Sequence, residues 1–359
     1  MNLAGFFAPF SVYALITVLH LVMPARTVDG YVTNPATDKP YRYRLNGLSV
    51  FVVTLAIWAI ACSSKLLAWD FFWTTRWQGL AGACVLGLVF TLAIVLPAPR
   101  SGKGLLADLF LGRIENPQGL RGRIDAKMWL YMIGATMLGL NLASFAMHHW
   151  IAFAVDPSPG VALYLGLFAF FLCEYLFFER VHLYTYDFFA ERVGFKLGWG
   201  CLVFYPYFYG VGLWSVADLP NPHTPPALLM LAALLFFAGW SLARGANMQK
   251  YLFKRDPRAR FLGLIAPVAL SDGTNQLLVS GFWGAARHLN YLGEFLMAIG
   301  LTLALGHPGS FGPWLYPLYY VVLLIPRQID DDRRCALKYG ALWSQYKARV
   351  PYRIIPGLF

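Results

Sequence analysis

The chain has 359 residues, 58% hydrophobic and 17% aromatic but only 13% charged, and its mean hydropathy is +0.54. That much apolar surface exceeds what a soluble core of this size conceals, which excludes an ordinary water-soluble domain and points to a polytopic membrane protein. The net charge of +11 is distributed over loops between apolar stretches, a pattern that fits lipid headgroups or an anionic ligand better than nucleic acid.

In chain order, apolar stretches predict spans at about 4–24, 47–69, 79–97, 128–154, 160–178, 196–217, 227–243, 291–306 and 311–326, each near the ~20 residues a bilayer requires. The first lacks a basic leader and a small-residue cleavage site, which predicts a retained helix. In the loop after the third span, Gly102, Gly104 and Ala107 satisfy the spacing of a dinucleotide fingerprint. No strand precedes them and no βαβ unit surrounds them, so the match is read as accidental. In the sixth span Pro206 stands between Tyr205 and Tyr207. It predicts a kink, because proline removes a helical hydrogen bond. Five unevenly spaced cysteines, four of them in or beside apolar stretches, do not form the pattern of a disulfide framework.

Loop charge gives an orientation. If the N terminus and the loops 70–78, 155–160, 218–226 and 307–310 share one side, 27 of the 29 Lys and Arg residues fall on the other, Lys65 and Arg76 being the exceptions. The basic side, with the C terminus, is expected to be cytoplasmic. Every long polar connection, including 25–46, 98–127, 179–195 and 244–290, then opens to that compartment.

Polar chemistry concentrates in the last third. Arg244, Lys250, Lys254, Arg255, Arg258 and Arg260 follow closely on one another. Lys250 and Lys254 share a face if the segment is helical, a spacing suited to phosphate oxygens as well as to interfacial anchoring. The following stretch, FLGLIAPVALSDGTN, is too short to cross a bilayer and predicts a surface or re-entrant segment. Next comes LLVSGFWGAARHLNYLGE at 277–294, where Arg287, His288, Asn290, Tyr291 and Glu294 interrupt apolar sequence. Such a knot of donors and acceptors is costly unless it faces protein, water or ligand. Arg327 and the run Asp330, Asp331, Asp332 follow the last span. The run reads either as a solvated cap or as the setting for a carboxyl whose pKa is raised enough to donate a proton. The seven histidines form no iron-binding box, and neither HExxH nor GxSxG occurs, so no metal site is expected.

LLVSGFWGAARHLNYLGE, RGANMQKYLFKRDP at 244–257 and KYGALWSQYKARVPYRIIPGLF at 338–359 resemble the C-terminal signatures of the sterol reductase family, which includes Δ14, Δ7 and Δ24(28) reductases and the membrane domain of the lamin B receptor. YRLNGL at 43–48, LFLGRIENP at 109–117 and TYDFFAERVGFKLGWG at 185–200 resemble that family's upstream segments in the same order, the last leaning towards the Δ14 branch. The resemblance implies an all-α fold of about ten spans in one domain over 1–359. In it, 1–243 would line a lipid-accessible sterol cavity and 244–359 would bind NADPH from the cytoplasm. Lys250 and Lys254 would hold its phosphates; Trp283, Arg287, His288, Asn290 and Tyr291 would shape the cleft, and Arg327 and Tyr346 would complete it. Trp343, Tyr352 and Arg353 would brace a C-terminal lid. The membrane is implied to be a bacterial inner membrane or the endoplasmic reticulum.

An isolated carbon–carbon double bond accepts hydride poorly, so a proton donor and a dry cavity are required. Asp331 matches the family's acidic residue and is the first candidate, either as the acid or as the orienter of a tyrosine acid drawn from Tyr184, Tyr186 and Tyr209. Glu179 and Asp187 are candidates for stabilising a cationic carbon, with helix capping as the plainer alternative. Pro326, Asp330, Phe282 and Cys201 depart from the family pattern, where His, a basic residue, Trp and Asp are usual. The competing readings are a Δ7 or Δ24 reductase, a methyltransferase of the isoprenylcysteine carboxyl type, and a non-catalytic sterol-binding protein.

Overall fold

The computed structural model describes residues 2–35 and 37–359 and is mostly helical. Five of the described helices are long and apolar enough to cross a membrane: Leu3–Val22, Arg76–Val95, Ala126–Ala152, Pro159–Phe177 and Pro226–Arg255. Gly47–Ser63 and Leu289–Ala304 are shorter apolar helices. This is a polytopic all-α membrane protein, its sheet limited to three two-stranded pieces among the described residues. The chain falls into two compact units, Met1–Pro222 and His223–Phe359.

The first unit is built round the Ala126–Ala152 helix, which is apolar on nearly every face and is the most deeply buried of the five. Water does not drive helices together inside a bilayer, so close backbone approach matters more there. Gly82 lies so near the first helix that a Cβ would sit 2.0 Å from the Phe6 carbonyl oxygen, and at Gly139 one would meet the Phe51 ring at 2.5 Å. At the predicted kink the helix changes register without breaking. Phe195–Trp199 passes into a π-helical turn, Gly200–Phe204, which runs on into Tyr205–Phe208 with Pro206 in its first turn. Pro206 has no N–H to offer Leu202, four residues back; the Tyr13 hydroxyl donates to that carbonyl instead. Asn141 Nδ2 donates to the Pro206 carbonyl at 2.8 Å, so side chains replace the lost backbone bonds. Outside the spans, Arg26–Asn34 and Lys39–Leu45 form an antiparallel hairpin with a register irregularity between Asp29 and Thr33.

In the second unit Pro226–Arg255 packs antiparallel against Leu289–Ala304. A Cβ on Gly239 would lie 2.5 Å from the Gly293 oxygen, and one on Gly300 2.6 Å from the Ala232 oxygen. These two crossing points are seven residues apart on each helix, two turns along one face. The expected spans 227–243 and 311–326 are both extended. The first helix continues to Arg255 and the last, Phe311–Tyr339, passes Pro326 without ending. Between them the segment expected to be surface-lying or re-entrant is a β-hairpin, Ala269–Ser271 against Gln276–Leu278. Around Gly102 and Gly104 the chain is a loop leading into the seven-residue helix Leu105–Leu111, with no parallel sheet among the described residues. All five cysteines are free thiols.

Candidate functional site

Extension of the Pro226–Arg255 helix carries Arg244, Gln249, Lys250 and Lys254 on a single rod beyond the apolar stretch. Gln249 is 3% exposed. Its amide donates to the Ser280 carbonyl at 3.1 Å and accepts from Phe282 N–H at 3.0 Å. Gly281 permits this: φ is +60°, and a Cβ would come within 2.4 Å of Gln249 Nε2. With the turn pinned, Trp283 Nε1 donates to the Ala246 carbonyl at 2.8 Å and Lys250 Nζ lies 5.1 Å from the Trp283 ring centroid. Lys254 follows one turn later and is exposed.

Arg287 and His288 come next and are buried, at 6% and 5% exposed. Their amides donate to the Tyr352 and Arg353 carbonyls at 3.0 and 2.7 Å, which ties the C-terminal tail across them. His288 stacks on Tyr291 with centroids 4.8 Å apart and planes 15° from parallel. Its Nε2 faces Asp331 Oδ2 at 3.9 Å. Burial, reinforced by Lys250, Arg287 and Arg353, pushes the imidazole down to about 3, so it is neutral near pH 7. Burial likewise raises Asp331, and its neighbour Asp330 adds to this, while Lys250, Arg334 and Arg327 oppose the shift.

Successive helix residues are turned by ~100°, and the three adjacent aspartates accordingly diverge. Asp330 accepts from Arg334 Nε at 2.7 Å at the surface. Asp332 accepts from Trp343 Nε1 at 3.0 Å. Asp331 faces His288 and the Cys335 thiol, which lies 4.0 Å away and which burial and Asp331 push up to about 12. Trp343 stacks on Tyr346, and Tyr346 donates to the Trp283 carbonyl at 3.1 Å. Asn290 Oδ1 is shielded and accepts no hydrogen bond.

Lys250, Trp283, Arg287, His288, Tyr291, Arg327, Asp331 and Tyr346 are thus gathered in one unit. Reading the sequence gave no separate role to Gln249, which holds the glycine turn, or to Asp332, which anchors Trp343. A polar residue on the buried face of an apolar helix was the only local signal for Gln249.

The other proton-donor candidates belong to the first unit. Tyr184 packs with Tyr43, Met128, Leu183 and Phe188, and lies 5.4 Å from the Tyr31 ring centroid. Tyr186 lies against Phe189, and Tyr209 against Tyr205 at 4.5 Å. Glu179 takes the plainer of its two roles: it is buried and accepts from Gly47 N–H, at the start of the Gly47–Ser63 helix, at 3.1 Å. Burial holds its pKa up to about 7. Asp187 offers its main-chain carbonyl to Lys127 Nζ at 2.8 Å.

Residues 4–359 match the family described as ergosterol biosynthesis ERG4/ERG24. A Delta(14)-sterol reductase of Arabidopsis thaliana is 31% identical over 97% of this chain and 96% of its own length. A Delta(14)-sterol reductase of Methylotuvimicrobium alcaliphilum is 32% identical over 70% of this chain and 58% of its own length. One from Mus musculus is 31% identical over 89% of this chain and 77% of its own.

Proposed function

Because the chain belongs to the ERG4/ERG24 family of ergosterol biosynthesis, we propose that it reduces a carbon–carbon double bond of a sterol, the Δ14 bond first, with NADPH as reductant. Support for the bond comes from the relatives' names. The observation that carries the mechanism is the half-buried Asp331 carboxyl, raised in pKa, set among Lys250, Arg327 and the His288 ring.

The second unit's donor set fits a phosphorylated nicotinamide carrier. Lys250 and Arg287 offer cations, Trp283 and Tyr291 offer ring faces, and the Asn290 oxygen is an acceptor awaiting a donor. NADPH bound there supplies a hydride. Asp331, its pKa raised by partial burial, is the group assigned to deliver the proton that the alkene carbon must receive. His288, kept neutral, meets that carboxyl as a dipole and leaves its acidity to burial and the flanking cations. Arg353 and Tyr352, through their carbonyls, fix the Arg287 and His288 backbone and keep the tail closed over them. The basic loops and the C terminus are cytoplasmic in this reading, where the reductant is available.

Purified protein in nanodiscs is expected to oxidise NADPH only when a Δ14-unsaturated sterol is present, with the sterol gaining two hydrogens by mass spectrometry. Sterol-independent oxidation, or binding of S-adenosylmethionine in place of NADPH, overturns the reading.

A further inference from the structure

In the first unit, residues of the two hairpin strands and of the turn at 118–123 line an open, solvent-facing groove of about 480 Å³. Its wall carries Arg42, Arg44, Arg121 and Arg123, with further donors from Gln118 and Thr37. Two of these arginines also hold the end of the first span. Arg44 Nε donates to the His20 carbonyl at 3.0 Å and Arg123 Nη2 to the Leu21 carbonyl at 2.8 Å. These are terminal carbonyls of a helix long and apolar enough to cross a bilayer, so the groove sits at the mouth of that helix, at the depth where lipid phosphates lie.

A guanidinium has five N–H donors, so capping leaves others for the groove. Arg42 reaches Asp29 at 3.8 Å with both side chains about three-quarters exposed, a weak and screened contact. Asp125 accepts from Gln118. The lining residues themselves carry four guanidiniums and no carboxylate. The turn is also held in an unusual backbone: Leu120 and Arg121 have φ of +48° and +58°, the left-handed region for residues other than glycine. That conformation presents Leu120, 59% exposed, beside the Arg121 charge. An apolar side chain next to a guanidinium suits the boundary between acyl chains and headgroups.

We infer that this groove binds the phosphodiester headgroup of an anionic membrane lipid, with Arg42 and Arg121 closing on the phosphate and Leu120 lying along the chains. The test is retention of lipid by full-length protein released from nanodiscs of mixed phosphatidylglycerol and phosphatidylcholine, read by native mass spectrometry. Wild type is expected to retain phosphatidylglycerol in preference. R42Q/R121Q is expected to lower that retention about tenfold at unchanged melting temperature, since each basic residue at a lipid surface is worth a few-fold in affinity. Thr37→Glu, which places a carboxylate in the same wall, is expected to do likewise, and Arg258→Gln in the second unit to change nothing. Equal retention of both lipids, or unchanged retention in both groove variants, overturns the proposal. Displacement of the lipid by millimolar inorganic phosphate overturns the lipid assignment in favour of a free anion.

Discussion

The depressed pKa of His288 and the raised pKa of Asp331 have the same leading cause, burial, acting on groups of opposite charge type. Three outcomes follow at this scale. Asp331→Asn keeps the shape and removes the exchangeable proton, so turnover is expected to fall by at least about a hundredfold while NADPH affinity, measured by fluorescence titration, stays close to wild type. Lys250→Ala has the converse signature, with NADPH affinity reduced about tenfold; exchange of the two patterns would reverse the assigned roles. His288 gives a dependence on pH. Folded, it takes a proton only near 3; unfolded, it does so near ~6.5. The unfolded chain therefore binds more protons in between. The stabilisation from His288 is full above pH 6.5 and lost as pH falls, by ~2 kcal/mol at pH 5. Thermal melts of wild type and His288→Gln should therefore diverge between pH 7 and pH 5, and parallel curves would show that the ring is not buried in its neutral form.

Hydropathy marked where the apolar helices lie, but the ends of helices and the faces they share follow from contacts. The Pro226–Arg255 helix continues past its apolar part because Gln249 has main-chain partners at Ser280 and Phe282. The Phe311–Tyr339 helix passes Pro326 without ending, because an internal proline costs one bond to the residue four back and a kink rather than the whole helix. Gly239 and Gly293 bring two helices to backbone contact, so Gly239→Ala is expected to force the pair apart and cost ~1–3 kcal/mol. A melting temperature equal to that of wild type would show that the contact yields freely. The stretch 261–275 is expected from its length to be a surface or re-entrant segment. It forms a hairpin because Asp272 accepts from the Thr274 and Asn275 amides at 2.9 and 2.6 Å, an Asx turn that a hydropathy window does not register.

For the whole molecule, the proposed orientation has a direct check. A C-terminal green fluorescent protein fusion is expected to fluoresce and the matching alkaline phosphatase fusion to be inactive; the opposite pair would invert the topology and remove the reductant's access. Membrane character and helical class, together with family membership, were legible from the chain alone. Apolar run length and the order of short motifs are properties of adjacent residues, and they survive any uncertainty about how the helices pack. Among three consecutive aspartates only the family resemblance singled out Asp331; composition and spacing do not distinguish it from its neighbours. Asp330, Asp331 and Asp332 differ only by a rotation about one helix, and their partners, Arg334, His288 and Trp343, stand 4, 43 and 11 residues away. Sequence pattern thus determined the solvent and the kind of fold. The opposite pKa shifts of His288 and Asp331, and the arginine groove at the end of the first span, were decided only when distant segments were brought together, because desolvation and charge coupling depend on distance in space.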